Sequence, residues 1–211
     1  MPYDLKALIR RTVTIDFEHK HRHLPGSLSA LPIIAEIYES LGPIDCFLLS
    51  KGHACAALYA VLESKGFHPD VSKVHPERDP ENGIEITAGS LGHGLPIAVG
   101  RALAHRFAGT RGTVHVLIGD GEALEGTTWE ALHLAKRFLL EDRLRVHCDC
   151  NHQQGAGPLL SNCFPAMNRI FPVTGHFYGQ GHGVPFFEER RGDSVHALTQ
   201  AEFEQIMEIL K

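Results

Sequence analysis

The sequence predicts an α/β fold, a doubly wound parallel sheet with helices on both faces. Three observations predict it. Short apolar runs of strand type, at 46–49, 114–118 and 144–148, alternate with longer stretches whose apolar residues recur at helical spacing. The runs are nearly continuous in apolar residues, as in strands buried on both faces. Segments rich in glycine and histidine follow them, where such sheets bind ligands, outside the carboxyl ends of the strands.

Each element can be read in order. Residues 5–17 have helical spacing, and 19–25 break it. Ser27 is a candidate N-cap for a second helix over 28–41, which Gly42-Pro43 ends. Strand 46–49 is closed by Ser50-Lys51-Gly52-His53, and 54–64 reads as a helix of small residues. Residues 71–89 are polar and loop-like. Residues 95–107 form a strongly apolar helix, with Gly100 allowing close packing. Strand 114–118, helix 129–140 and strand 144–148 follow. Beyond Asn151 the pattern is less regular: 158–171 is given no element, 172–178 reads as a strand, and Thr199 caps a closing helix through Leu210.

Composition bounds the function. The 211 residues, 43% hydrophobic, suffice for one sizeable core and one domain. A net charge of −5 recommends neither nucleic acid nor an anionic membrane as partner. No apolar run is long enough to span a bilayer, and the N-terminus lacks a signal-peptide pattern, so a cytoplasmic location is expected. Five cysteines without framework spacing suit reduced thiols. Cys148 and Cys150 share one strand face and read as buried small apolar residues. Fifteen histidines are scattered rather than tag-like, and several sit beside glycines, a setting better suited to a site than to a core.

The chemistry concentrates between Gly119 and Asn151. Strand 114–118 enters Gly119-Asp120-Gly121-Glu122, and strand 144–148 delivers Asp149-Cys150-Asn151. A carboxylate and an amide at neighbouring strand ends offer oxygen ligands to a hard cation such as Mg²⁺, which is usually shared with substrate phosphates. The glycines beside Asp120 let backbone N–H groups approach a diphosphate. The plain alternative is a turn carboxylate and a capping amide. Neither a Gly-x-Gly-x-x-Gly after a strand nor a phosphate-loop lysine motif is present, which disfavours a generic nucleotide binder.

The Gly-Asp-Gly…Asn segment resembles the thiamine diphosphate motif. Five further segments, in order, resemble the diphosphate-binding half of the transketolase family. They are His23-Leu24-Pro25-Gly26-Ser27, Leu49-Ser50-Lys51-Gly52-His53, His75-Pro76-Glu77, Gly89-Ser90-Leu91-Gly92-His93-Gly94, and Gly181-His182-Gly183 with Val195-His196. The resemblance covers nearly the whole chain. It implies thiamine diphosphate as cofactor with Mg²⁺, or Ca²⁺ in its place, held by Asp120, Asn151 and the backbone carbonyl of Gln153. It implies that His53, Gly121, Asn151 and His196 contact the cofactor's diphosphate end, and that Gly89 and Leu91 contact its rings. His23 and His75 would transfer protons to and from substrate oxygens, a task for groups titrating near neutrality. The counterpart of Glu125 lies at a subunit interface. His93 stands where this branch often has glutamine and is given no catalytic role.

The resemblance further implies what this sequence lacks. Residues 1–211 read as a single diphosphate-binding domain, without the pyrimidine-binding and C-terminal domains. The expectation is one half of a split transketolase, cytoplasmic, active only with a partner chain that carries the pyrimidine-binding domain, and assembled as a dimer of heterodimers. Its reaction would move a two-carbon ketol unit between sugar phosphates. The alternatives are transfer to another acceptor (a carrier or lipoyl thiol, or a 1-deoxyxylulose-phosphate synthase-like condensation) and a non-catalytic cofactor-binding subunit.

Overall fold

The computed structural model describes residues 3–151, 157–188 and 197–211. Helices α1 (Leu5–His19) and α2 (Leu24–Ser40) lead into β1 (Cys46–Leu49). Helices α3 (Cys55–Ser64) and α4 (Gly94–Phe107) then lead to β2 (Val114–Gly119). Helix α5 (Gly126–Arg137) connects β2 to β3 (Leu144–Asp149), and α6 (Gly157–Ile170) connects β3 to β4 (Val173–His176). Two further helices follow, α7 (Pro185–Glu188) and α8 (Gln200–Ile209). The four strands form one sheet in the order β1-β2-β3-β4, every pair parallel. Parallel neighbours require crossovers, and helices supply them.

Strand alternation splits the core in two. Phe47, Leu49 and Leu117 share one core with α1, α2 and α3. Leu48, Val116, Ile118, Val146 and Cys148 share the other with α4, α5 and the end of α6. Both sheet faces are therefore covered, as the apolar runs predict. Helix α2 is buried on nearly every side from Leu24 to Ile37, which explains why its sequence has no polar face. Cys148 and Cys150 lie in the second core with their sulfurs 3.7 Å apart, and all five cysteines are free thiols.

Three boundaries differ from the sequence reading. Ser27 does not cap α2. The helix starts at Leu24, with Pro25 in its first turn, where a fixed φ and a missing N–H are tolerated. Ser27 is fully buried inside it, and His23 occupies the cap position. Helix α5 begins at Gly126 and stops at Arg137 rather than spanning 129–140, because Leu139 adopts a left-handed backbone with φ 51°. Residues 158–171, which the sequence reading leaves without an element, lie in α6 and its exit, and β4 completes the sheet edge over 173–176 rather than 172–178. Pro158 and Pro165 both fall within this helix. The closing helix agrees with expectation: the Thr199 hydroxyl accepts from the Glu202 N–H in a capping box.

Candidate functional site

Three strand ends build one cleft. After β1, the chain turns through Ser50 and Lys51 into a 3₁₀ turn, Gly52–Ala54, that carries His53. After β2, a second 3₁₀ turn, Asp120–Leu124, carries Asp120, Gly121 and Glu122. After β3 comes Asn151. These residues line a cleft of about 50 Å³ together with His75, Gly89 and Leu91. The His23 ring stands 5.2 Å from that of His53, at 52°.

Glycine is required locally where these loops meet. A Cβ on Gly52 would lie 3.0 Å from the Gly89 nitrogen and 3.1 Å from the His75 ring. Gly89 has φ 130°, a backbone that side chains rarely adopt, and a Cβ there would lie 3.4 Å from the same ring. The His75 imidazole is thus seated between two glycines. The Gly94 N–H donates to Ser50 Oγ at 3.1 Å, an approach that any Cβ would block.

Beneath the cleft lies a buried polar network. The Lys51 ammonium, 3% exposed, pairs with Asp149 Oδ2 at 2.5 Å and donates to the Gly26 carbonyl at 3.0 Å. Ser29 Oγ donates to Asp149 Oδ2 at 2.6 Å. The Asn151 amide nitrogen donates to Ser29 Oγ at 2.9 Å and sits 3.3 Å from Asp149 Oδ2. An amide whose nitrogen is engaged on that side turns its carbonyl oxygen the other way, as a cation ligand at the cleft requires. Glu122, 2% exposed, accepts from the backbone N–H groups of Gly119 (2.8 Å) and Gly92 (3.2 Å) and from the Ser50 hydroxyl. Burial raises its pKa against the pull of these donors and of Lys51. His53 is driven the other way. Burial first, then the nearby Lys51, His23 and His75, lower its pKa to about 2, so its imidazole is neutral.

The structure brings His53, His75, Gly89, Leu91, Asp120, Gly121 and Asn151 to one cleft, with His23 beside it. Leu91 is 50% exposed rather than core. His93 is exposed at the start of α4 and does not line the cleft. Glu125 precedes α5, where its side chain crowds Gly92. Gln153 and His196 lie outside the described residues. Sequence reasoning gave no role to Lys51, Asp149, Ser29 or Glu122. The available signal was a lysine at the end of an apolar strand, which must find a carboxylate if buried.

The residues present fit a diphosphate held through a hard cation. Asp120 and Asn151 offer oxygen, the donor that Mg²⁺ prefers. His53 Nε2 is buried and has no hydrogen-bond partner among the described residues, so a polar group from a ligand can satisfy it. Among the described residues no group of three or more His, Cys, Asp or Glu is arranged to hold a metal. No helix among the described residues is long and apolar enough to cross a membrane.

Comparison with known proteins agrees with this geometry. Residues 40–157 match the family model "Transketolase, thiamine diphosphate binding domain". The 6-deoxy-6-sulfo-D-fructose transketolase subunit SqwG of a Clostridium species is 37% identical over 201 residues, covering 85% of this chain and 71% of that protein. An apulose-4-phosphate transketolase subunit from Actinobacillus succinogenes is 32% identical over 174 residues, covering 72% of this chain and 63% of the relative. Its namesake from Phocaeicola vulgatus is covered to 59%, so the chain spans about three-fifths of these two relatives. A transketolase variant from Pichia stipitis superposes with a TM-score of 0.68 at 22% identity, over 98% of this chain and 40% of that one, which establishes the shared fold. With the family's thiamine diphosphate-binding domain matched over more than half of this chain, and with an aspartate, an asparagine and two histidines lining one cleft, this chain belongs to the transketolase family.

Proposed function

We propose that this chain is the thiamine diphosphate- and Mg²⁺-binding subunit of a two-chain transketolase that transfers a two-carbon ketol unit between anionic sugars such as sugar phosphates. The observation that carries this reading is the convergence of Asp120, Asn151, Gly121 and His53, whose buried Nε2 has no partner among the described residues, on one cleft. Asp120 and Asn151, with the carbonyl of Gln153, hold the cation, for which Ca²⁺ can substitute. Gly121 N–H, His53 and His196 hold the diphosphate, and Gly89 and Leu91 face the rings. Thiamine diphosphate, when bound, would supply an electron sink that stabilises negative charge at the former carbonyl carbon of the donor. His23 and His75 take and return protons at the hydroxyl and carbonyl oxygens of the sugar. Lys51 and Asp149 orient Asn151 rather than touching substrate.

The cleft, at about 50 Å³, is far below the roughly 300–1,000 Å³ of a complete small-molecule site. One wall is present, which supports a second chain that supplies the pyrimidine-binding domain, in a dimer of heterodimers. The relatives are named as transketolase subunits and for ketose-derived sugars, which supports a ketose donor.

The test begins with a thiamine diphosphate titration of the metal-stripped chain, with and without Mg²⁺, following Trp129. This is the only tryptophan, and its indole N–H donates to the Ala123 carbonyl within the cofactor segment. Saturable, Mg²⁺-dependent quenching that Asp120→Ala abolishes is expected. Ketol transfer is then assayed with the partner chain. Full turnover by this chain alone refutes the two-chain reading, and cofactor binding without turnover in the pair points to a non-catalytic role.

A further inference from the structure

We propose that His21 and Cys55 are positioning residues that lock the loop carrying His23 to the loop carrying His75, beneath the cleft. The inference rests on the reading of those two histidines as the proton-transfer pair.

His21 is turned inward by its neighbours. Lys20 and Arg22, both exposed, take left-handed backbone conformations with φ 56° and 67°. Two such residues that are not glycine, flanking one position, are an uncommon arrangement that surrounding contacts must hold. Between them His21 is 3% exposed, its N–H donating to the Asp16 carbonyl at 3.1 Å, while His23 emerges at the cleft.

One sulfur joins the two loops. Cys55, fully buried, begins α3 two residues after His53. Its Sγ lies 3.5 Å from His21 Nδ1, 3.2 Å from the Val74 carbonyl and 3.5 Å from the Lys73 carbonyl. Val74 directly precedes His75. One turn along α3, the Tyr59 hydroxyl donates to the Lys73 carbonyl at 2.9 Å, and the His21 ring meets the Tyr59 ring edge-on at 6.2 Å. A thiol has one proton for these acceptors. With the neutral imidazole protonated at Nδ1, His21 donates to Sγ and the thiol donates to Val74, so a single chain of contacts runs from one loop to the other. Burial favours both neutral partners, lowering the His21 pKa and raising that of Cys55 to about 12. A shift of Val74 passes to His75, the next residue, whose ring is seated between Gly52 and Gly89. The sulfur thus sets the separation of two histidines that must meet one substrate.

A cysteine that only filled space would couple nothing across the loops, and this separates the two cases. Imidazole resonances of His23, His75, His105 and His133 are followed by NMR in the chain itself, for His21→Leu, Cys55→Ala and Cys55→Ser. The expected result is that His21→Leu moves His75 as well as His23, that Cys55→Ala does the same, that Cys55→Ser largely restores both, and that His105 and His133 stay in place. In the enzyme reconstituted with its partner, Cys55→Ala is expected to lower kcat about tenfold with thiamine diphosphate affinity held within about twofold, the pattern of lost alignment rather than lost binding. A His75 resonance unmoved by His21→Leu, or an unchanged kcat in Cys55→Ala, overturns the proposal. Should Cys55→Ala fail to fold, Tyr59→Phe removes the hydroxyl that holds Lys73 and is read in the same way. Because the resonances are measured without turnover, absence of ketol transfer in the wild type refutes the proposed function and leaves the loop coupling to be judged separately.

Discussion

At the scale of single residues, Lys51 and Asp149 show how the site is held. Their side chains are 3% and 0% exposed, so each charge has been taken out of water and is stabilised mainly by the other and by Ser29, Gly26 and Asn151. Lys51→Met leaves the Asp149 carboxylate buried without its cation. We expect a loss of about 3–5 kcal/mol in urea unfolding. Thiamine diphosphate affinity is expected to fall as well, since Asp149, which with Ser29 orients Asn151, loses the cation that holds it. By contrast, Arg11 and Glu63 form a bidentate pair at 38% and 29% exposure, and Arg11→Met is expected to cost no more than about 1 kcal/mol. The sequence displayed Lys51 within Ser50-Lys51-Gly52-His53, but its partner lies 98 residues away. No spacing rule reaches that far. Asp120 and Asn151 were legible because each ends its own strand.

At the scale of elements, the parallel strands set histidines side by side. His115 on β2, His147 on β3 and His176 on β4 form a row on the α2 face of the sheet. The distance from His115 Nδ1 to His147 Nε2 is 3.3 Å, and from His147 Nδ1 to His176 Nε2 it is 3.1 Å. Burial lowers the pKa of all three, that of His147 to about 3, with His176, His115 and Arg145 adding to the effect. The unfolded chain therefore binds protons that the folded row does not, and stability is lost as pH falls below about 6.5. His53 acts in the same direction. Asp16 opposes them, because burial raises its carboxyl to about 7 and the folded state gains a proton there. The histidines outnumber it, so net acid destabilisation is expected. Between pH 7 and 5, His147→Leu is expected to lose about 2 kcal/mol less than the wild type in urea titrations; an unchanged slope would show that the row does not govern the acid limb. At the other end of the chain, Thr199→Ala removes the cap of α8 and is expected to destabilise by about 1 kcal/mol, read in the same titration. The capping box was visible as Thr199 and Glu202 three residues apart. The histidine row was not, because it depends on register: Leu117 rather than His115 pairs with His147.

At the scale of the whole molecule, a nearly closed fold presents an open site. Both faces of the sheet are covered, whereas Leu91, which lines the cleft, is 50% exposed, and Ile97 near the start of α4 and Leu124 at the end of the 3₁₀ turn after β2 are 45% and 48% exposed. Apolar surface beside a shallow polar cleft suits a docking partner. If the partner supplies the opposite wall, thiamine diphosphate should bind at least about tenfold more tightly to the pair than to this chain, by removal of a wet and mobile second side. Equal affinity in the same Trp129 titration would mean that the wall contributes nothing to the cofactor.

The sequence by itself determined the class of fold, three of the four strands to within a residue, and the ligand-bearing positions at the strand ends. Those features follow from local pattern: apolar runs, breaking glycines, and polar residues at the ends of strands. It misplaced the start of α2, since a proline reads as a break even where a helix tolerates it, and left α6 unassigned. Only the tertiary structure decided that Lys51 meets Asp149, that Glu122 gathers two backbone N–H groups, and that Cys55 touches both histidine loops. The physical reason is range. Local pattern is governed by backbone sterics and by the period of burial along the chain, whereas a buried charge or thiol is satisfied by whichever distant group the crossovers bring within about 3 Å of it.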